Sequence, residues 1–157
     1  MAADDEKPEG TKLGWGPLAD AVGPRVRLLR NILTLRTTSA LAPFGLPSGS
    51  LSILSLIGAN EGCSQTMLAR RTAMNKSAMV GVLDELEKNG LARRSTAPDD
   101  RRRNLLSLTA KGAKLLDEMQ RAANAQEAPI REALTRAELA QLLALLERAY
   151  DAVAPDG

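Results

Sequence analysis

Only three residues, Thr72-Ala73-Met74, separate two helical patterns in the middle of this chain, and that spacing constrains the fold more than any other feature. On the N-terminal side, Ser64 is suited to cap a short helix carrying Met67, Leu68 and Ala69, and on the C-terminal side Asn75 is a good N-cap for a helix that ends at Gly90. In this second helix Met79, Val82, Leu83 and Leu86 recur three or four residues apart and predict a buried stripe. Lys76, Ser77, Val80, Gly81 and Asp84 are left on the opposite face. A short helix, a tight turn and a helix with one free face form a helix-turn-helix.

The surrounding pattern extends this unit. After Gly90 the hydrophobic period drops toward two, and Leu91 to Thr96 and Asn104 to Leu108 read as short strands around the loop Ala97-Pro98-Asp99-Asp100-Arg101-Arg102-Arg103, a hairpin with a cationic tip. Thr109 is placed to cap a following helix containing Leu115, Leu116 and Met119, which should stop before Pro129. Thr135-Arg136-Ala137-Glu138 is a capping box for a last helix whose stripe of Leu139, Leu142, Leu143, Leu146, Ala149, Tyr150 and Val153 is too wide for a lone solvent-facing helix. Toward the N-terminus, apolar residues from Leu18 to Leu41 predict a long helix that Pro24 either kinks or starts. A Pro43-to-Pro47 turn follows, with Ser48 capping a helix that runs from Leu51 to a stop at Gly58. Residues 1 to 16 read as a mobile arm, 17 to 45 and 109 to 157 as a helical dimerisation region, and 46 to 108 as a winged helix-turn-helix, in a mainly α fold.

Composition removes most other classes. The 157 residues contain one Cys, Cys63, and no His, so zinc patterns, the Ser-His-Asp triad and Cys-His dyads have nothing to be built from. Neither an enzyme, a metal nor a cofactor is expected. Aromatics are only Trp15, Phe44 and Tyr150, too few for the stacking platforms of single-strand binders. The N-terminus is acidic with no apolar run behind it, which predicts a cytosolic protein. The net charge of +2 conceals segregation: residues 1 to 66 are neutral, 67 to 114 carry +6 and 115 to 157 carry −4. A basic centre of this kind suits a polyanion.

The segment Leu46 to Thr109 resembles the winged helix-turn-helix core of the MarR family of bacterial transcriptional regulators. Asp99-Asp100-Arg101-Arg102 followed by Leu105-Leu106-Ser107-Leu108-Thr109-Ala110-Lys111-Gly112 is similar to that family's wing and to the Leu-Thr-x-x-Gly that leads into its next helix. Leu83-x-x-Leu86-Glu87-Lys88-x-Gly90-Leu91 resembles the end of its recognition helix. The resemblance implies a homodimer built from the first, fifth and sixth predicted helices, with Leu18, Val22, Leu142, Leu146 and Tyr150 at the seam, binding pseudo-palindromic double-stranded DNA. An intramolecular three-helix pack is the alternative way to cover the last stripe; a second copy is the more economical one. By the same resemblance Arg101, Arg102 and Arg103 enter a minor groove with Asp100 orienting an arginine, and Ser64, Gln65, Lys76, Ser77, Val80 and Gly81 belong to the DNA-facing set. An arginine in a narrow groove reads shape more than base identity. Gly81 departs from the family, which often has an arginine there, and Asp84, Glu85 and Glu87 add negative charge, so direct base readout should be sparse.

The family's cleft between dimer helices and winged domain implies a small anionic effector, an aromatic acid or thioester, and a repressor that the effector releases. Arg25, Arg27 and Arg30, with Arg36, are cations on the otherwise apolar first helix that would suit a carboxylate, and Trp15 would cover an aromatic ring. All have plainer readings, as solvent-facing or seam residues and as an anchor of the arm. Cys63 precedes a helix N-terminus, which lowers a thiol's pKa, but a small buried hydrophobe is the commoner role of a lone Cys. The rival class, a winged helix that binds only protein, would not need three consecutive wing arginines.

Overall fold

The computed structural model describes residues 13–72, 74–96 and 104–154. Its helices are α1 (Val22–Leu41), α2 (Ser50–Ala59), α3 (Gln65–Thr72), α4 (Lys76–Lys88), α5 (Ala110–Gln126), α6 (Ala128–Ala133) and α7 (Arg136–Val153), with strands β1 (Cys63–Ser64), β2 (Ala92–Thr96) and β3 (Asn104–Leu108). The antiparallel sheet has the order β1-β3-β2, Cys63 facing Leu106 and Ala92 facing Leu108. This is the mainly α winged helix-turn-helix architecture expected.

The capping residues act largely as their chemistry requires. The Asn75 side chain accepts from Ala78 N at 2.8 Å, Thr109 from Gly112 N at 2.9 Å and Ser64 from Met67 N at 3.3 Å. The Thr135–Glu138 capping box is complete in both directions. Each satisfies an N–H group that a helix start otherwise leaves without a partner. Gly112 is required for a different reason: a Cβ there would strike the Leu91 carbonyl, so the start of α5 can lie directly on the end of the helix-turn-helix.

Three local expectations change. The first helix begins at Val22 and not at Leu18, and Gly16–Leu18 forms a 3-10 turn; of the two readings of Pro24 the helix start holds, since it falls in the first turn of α1, where its missing N–H costs nothing. Ser48 does not cap α2, whose N-cap is Gly49 at φ 89°, a conformation glycine adopts without a steric penalty. Gly58 does not stop that helix, which continues to Ala59; it is a packing glycine, because a Cβ would lie 2.9 Å from Leu108 Cδ1. Two short elements had no sequence signal: β1 has only two residues, and α6 has six with Pro129 in its first turn.

The core is formed entirely by the winged segment and the helix behind it. Ile53, Leu54 and Ile57 of α2, Leu68 of α3, Met79, Leu83 and Leu86 of α4, Leu91, Leu106 of β3 and Met119 of α5 are all buried. The four residues predicted as the inner stripe of α4 are buried as expected. No residue of α1 or α7 is buried, although Val26, Leu28, Leu29, Ile32 and Leu35 of α1 and Leu143, Leu145 and Leu146 of α7 are large and apolar.

Candidate nucleic-acid interface

The buried stripe fixes which side of α4 faces outward. Lys76 and Ser77 are exposed in its first turn, Gly81 is exposed one turn later with open space where a Cβ would be, and Val80 is half-buried at the edge. A cation, a hydroxyl and the N-terminal N–H groups of a helix are all suited to phosphates and base edges. Ser64 and Gln65, half-buried at the start of α3, lie at the other end of the motif, and the Ser64 hydroxyl is already engaged as a cap.

The acidic residues of α4 turn out to be tied down. Arg94 of β2 donates to Asp84 Oδ1 at 2.8 Å and to Glu87, and its backbone N–H donates to Glu87 Oε1 at 2.9 Å. Glu85 accepts from Lys88 Nζ at 3.3 Å and from Asn89 Nδ2 at 2.9 Å. Two carboxylates that looked like a repulsive surface for DNA instead bind the wing's first strand to α4. Sequence reasoning missed this because the partner lies on another element, seven to ten residues away; the position of Arg94, two residues after Ala92 and so on the same face of β2, was the available signal. The wing residues Asp100, Arg101, Arg102 and Arg103 lie outside the described residues. The strands that carry them are paired in full register from Ala92–Leu108 to Thr96–Asn104, and Arg93 Nε donates to Ser107 Oγ across the hairpin at 2.9 Å.

A second feature is a cavity of about 590 Å³ where α1, α2, α5 and α7 meet, lined by Leu29, Leu33, Leu46, Met119 and Leu146 with hydroxyls of Thr34, Thr38 and Ser52. Of the first-helix arginines singled out in the sequence, Arg30 lines it. Arg25 is placed otherwise: its guanidinium stacks on Trp15, 4.8 Å from the ring centroid, and donates to the carbonyls of Leu18, Ala19 and Ala21. Those bonds close the turn before α1 and occupy three of the five N–H donors of the guanidinium. Arg27 is exposed on α1, and Arg36 reaches the Gln126 carbonyl at 3.4 Å. Of the seam candidates, Leu18 and Val22 are exposed and Leu142 is half-buried, while Tyr150 is engaged within its own protomer with α3. Cys63 is buried in β1, and desolvation pushes its thiol pKa up, so the buried-hydrophobe reading describes its surroundings.

Similar proteins share this arrangement. A family profile described as MarR family matches residues 44–103, from the turn before α2 to the wing. A Thauera aromatica protein named as the transcriptional regulatory protein for the hcr operon is 35% identical over 117 residues, which span 74% of this chain and 68% of that one. The chain belongs to the MarR family of transcriptional regulators. Among MarR-family structures, the transcriptional repressor CouR bound to a 23-mer DNA duplex superposes with a TM-score of 0.75 at 29% identity, covering 88% of this chain and 99% of that one. CouR from Rhodococcus jostii RHA1 bound to p-coumaroyl-CoA gives 0.73 at 27% identity, over 89% and 96% of the two chains.

Family membership makes DNA binding and transcription regulation the function of this chain. The helix-turn-helix and wing strands, which carry the exposed α4 residues, lie within the stretch that the family profile matches. Among the described residues no group of three or more acidic, Cys or His side chains is arranged to hold a metal ion, and no helix is long and apolar enough to cross a membrane.

Proposed function

We propose that this MarR-family protein is a homodimeric repressor that binds pseudo-palindromic operator DNA and is released by a small anionic effector with an apolar body, an aromatic acid or its thioester. The observation that carries the reading is the pairing of an exposed, cationic α4 N-terminus with two long helices that have no fully buried residue in their own protomer. Two reading heads on a two-fold axis match a palindrome, and the apolar sides of α1 and α7 supply the seam that a two-fold dimer needs. Residues 17 to 45 and 109 to 157 form that seam and 46 to 108 the reading head. Lys76 and Ser77 meet the major groove, with Val80 and Gly81 beside them, and Arg101 to Arg103 meet the minor groove. The chain acts by binding and not by catalysis, in the cytoplasm where its operator lies.

The effector part of the reading is supported by the cavity between α1, α2, α5 and α7, whose apolar wall, hydroxyls and single edge arginine suit an apolar acid. CouR, similar in fold over most of the chain, was solved with p-coumaroyl-CoA. Occupying a cleft between the dimer helices and the reading head would shift the latter relative to the two-fold axis, favouring a state with poor DNA complementarity. The test is a gel-shift titration against DNA from the protein's own locus. Binding should weaken steeply with salt, with a log-log slope of about −0.9 per phosphate neutralised. No binding at low salt would end the regulator reading.

A further inference from the structure

Among the described residues α7 hydrogen-bonds to the reading head at one cluster, and that cluster has no role in the function argued so far. The Tyr150 hydroxyl donates to the carbonyls of Arg70 and Arg71, 3.2 and 3.1 Å away, in the last turn of α3. A helix leaves its last carbonyls without an N–H partner, so a tyrosine from another element is completing the end of α3. The Arg71 guanidinium lies over the Tyr150 ring, 4.6 Å from its centroid, and is paired with Glu147. Glu147 and Tyr150 are three residues apart and therefore share a face of α7. The Glu147 carboxylate, and after it Tyr150, holds the Arg71 proton more tightly than usual.

The location of this cluster gives it consequence. Arg71 is the penultimate residue of α3, and the turn to α4 begins directly after Thr72. The exposed pair adds little stability by itself, because water screens it on both sides. What it adds is direction: a planar guanidinium stacked on one ring and bonded to one carboxylate, beside a hydroxyl bound to two carbonyls, allows one relative placement of α3 and α7. No residue of α7 is buried, so little else within the protomer imposes that placement.

We propose that Tyr150, Arg71 and Glu147 are positioning residues that lock the reading head to the dimerisation helix, and thereby set the distance between the two α4 helices of the dimer. The proposal rests on the homodimer reading above. A lock of this kind determines which half-site spacing the dimer accepts, without contacting DNA. When it is broken, each head samples more positions; affinity for the correct spacing falls, and tolerance of the wrong one rises.

The test compares the wild type with Tyr150→Phe and Glu147→Gln on an operator selected from random duplexes, and on the same operator with one base pair inserted between half-sites. The wild type should lose about tenfold or more on the insertion, and each variant about threefold or less, with sedimentation and binding to unrelated DNA unchanged. A merely structural role would weaken binding to all duplexes alike and leave the spacing ratio intact, and that result overturns the proposal. A DNA-free arm separates this from the regulator reading. With spin labels at Lys88→Cys in both copies, the distance distribution should be narrow in the wild type and broader in Tyr150→Phe; equal widths overturn the lock even if DNA binds. A wild type that binds no DNA but shows the narrow distribution would overturn the regulator reading alone.

Discussion

The winged segment and the two terminal helices solve the burial problem in opposite ways. Between Ile53 and Met119, apolar side chains from α2, α3, α4, the sheet and α5 bury one another, and the largest of them have essentially no exposed surface. In α1 and α7 the side chains are as apolar and none is buried; Ile32 is 57% exposed and Leu35 72%. The first region has its partners inside the same protomer. The second carries a surface that water disfavours by roughly 25 cal/mol for each Å² of apolar area left exposed. The difference teaches that the winged segment with α5 closes its core within one protomer, whereas the terminal helices leave apolar surface that the proposed second copy would cover.

Deleting residues 135 to 157 should break the comparison most completely. It removes α7, exposes what α1 would pack on, and should give aggregation or unfolding in sedimentation; a folded monomer would show that the terminal helices need no partner. Next come two substitutions of matched chemistry. Leu83→Ala empties a fully buried position and should cost about 2 to 5 kcal/mol in urea unfolding, through loss of packing in the core itself. Ile32→Ala removes a side chain exposed in the protomer, so its effect should appear chiefly as a stability that falls on dilution. A concentration-independent loss at Ile32 would place that side chain inside the protomer and overturn the division.

Within the reading head the comparison sharpens to the two elements proposed to contact DNA. Ser77→Ala keeps charge and helix while removing the hydroxyl proposed to meet the major groove, and should weaken the specific site by about 1 kcal/mol with little change on unrelated DNA. Arg102→Ala removes a charge from the wing and should weaken both kinds of DNA alike. Fluorescence titration on specific and unrelated duplexes gives the ratio. A larger fall in that ratio for Arg102 than for Ser77 would reverse the assignment of shape to the wing and sequence to α4.

Periodicity made the helix-turn-helix legible because burial repeats every three to four residues in α4, and because Asn75, Thr109 and Thr135 announce helix starts through groups any sequence displays. Gly58 misled for a physical reason: a glycine that ends a helix and one that admits Leu108 look identical in sequence. Ser48 was misread since the chain reaches α2 through a positive φ at Gly49, which places the cap one residue later. The Arg94–Asp84–Glu87 cluster and the Tyr150–Arg71–Glu147 cluster escaped the sequence reading because each joins two different elements, and a charge pattern read along one helix cannot reveal its partner on another. Arg25 lies on the helix expected, but nothing local in the sequence indicates that its donors turn back onto Leu18, Ala19 and Ala21.

The smallest expected effect tests whether the open region is also the first to respond to acid. Glu138 accepts from the Thr135 hydroxyl and backbone N–H at the start of α7, and these bonds hold its carboxyl below the ordinary carboxylate pKa. A group whose folded pKa is depressed stabilises fully above its unfolded pKa, and that contribution is lost as pH falls through the folded value. The window is therefore acidic, below the ordinary pKa of a glutamate, roughly 4.3. Glu138→Gln removes the titration, so wild-type and variant urea midpoints should differ at neutral pH and converge as the wild-type carboxyl protonates. The carboxyl belongs to α7 and not to the closed core, so acid should weaken dimer association before the winged segment loses its near-native signal. Sedimentation and circular dichroism followed together through the same pH range check that order. Simultaneous loss of both signals, or a midpoint difference that persists at the acid end, would mean that the Thr135–Glu138 cap does not govern how α7 is held.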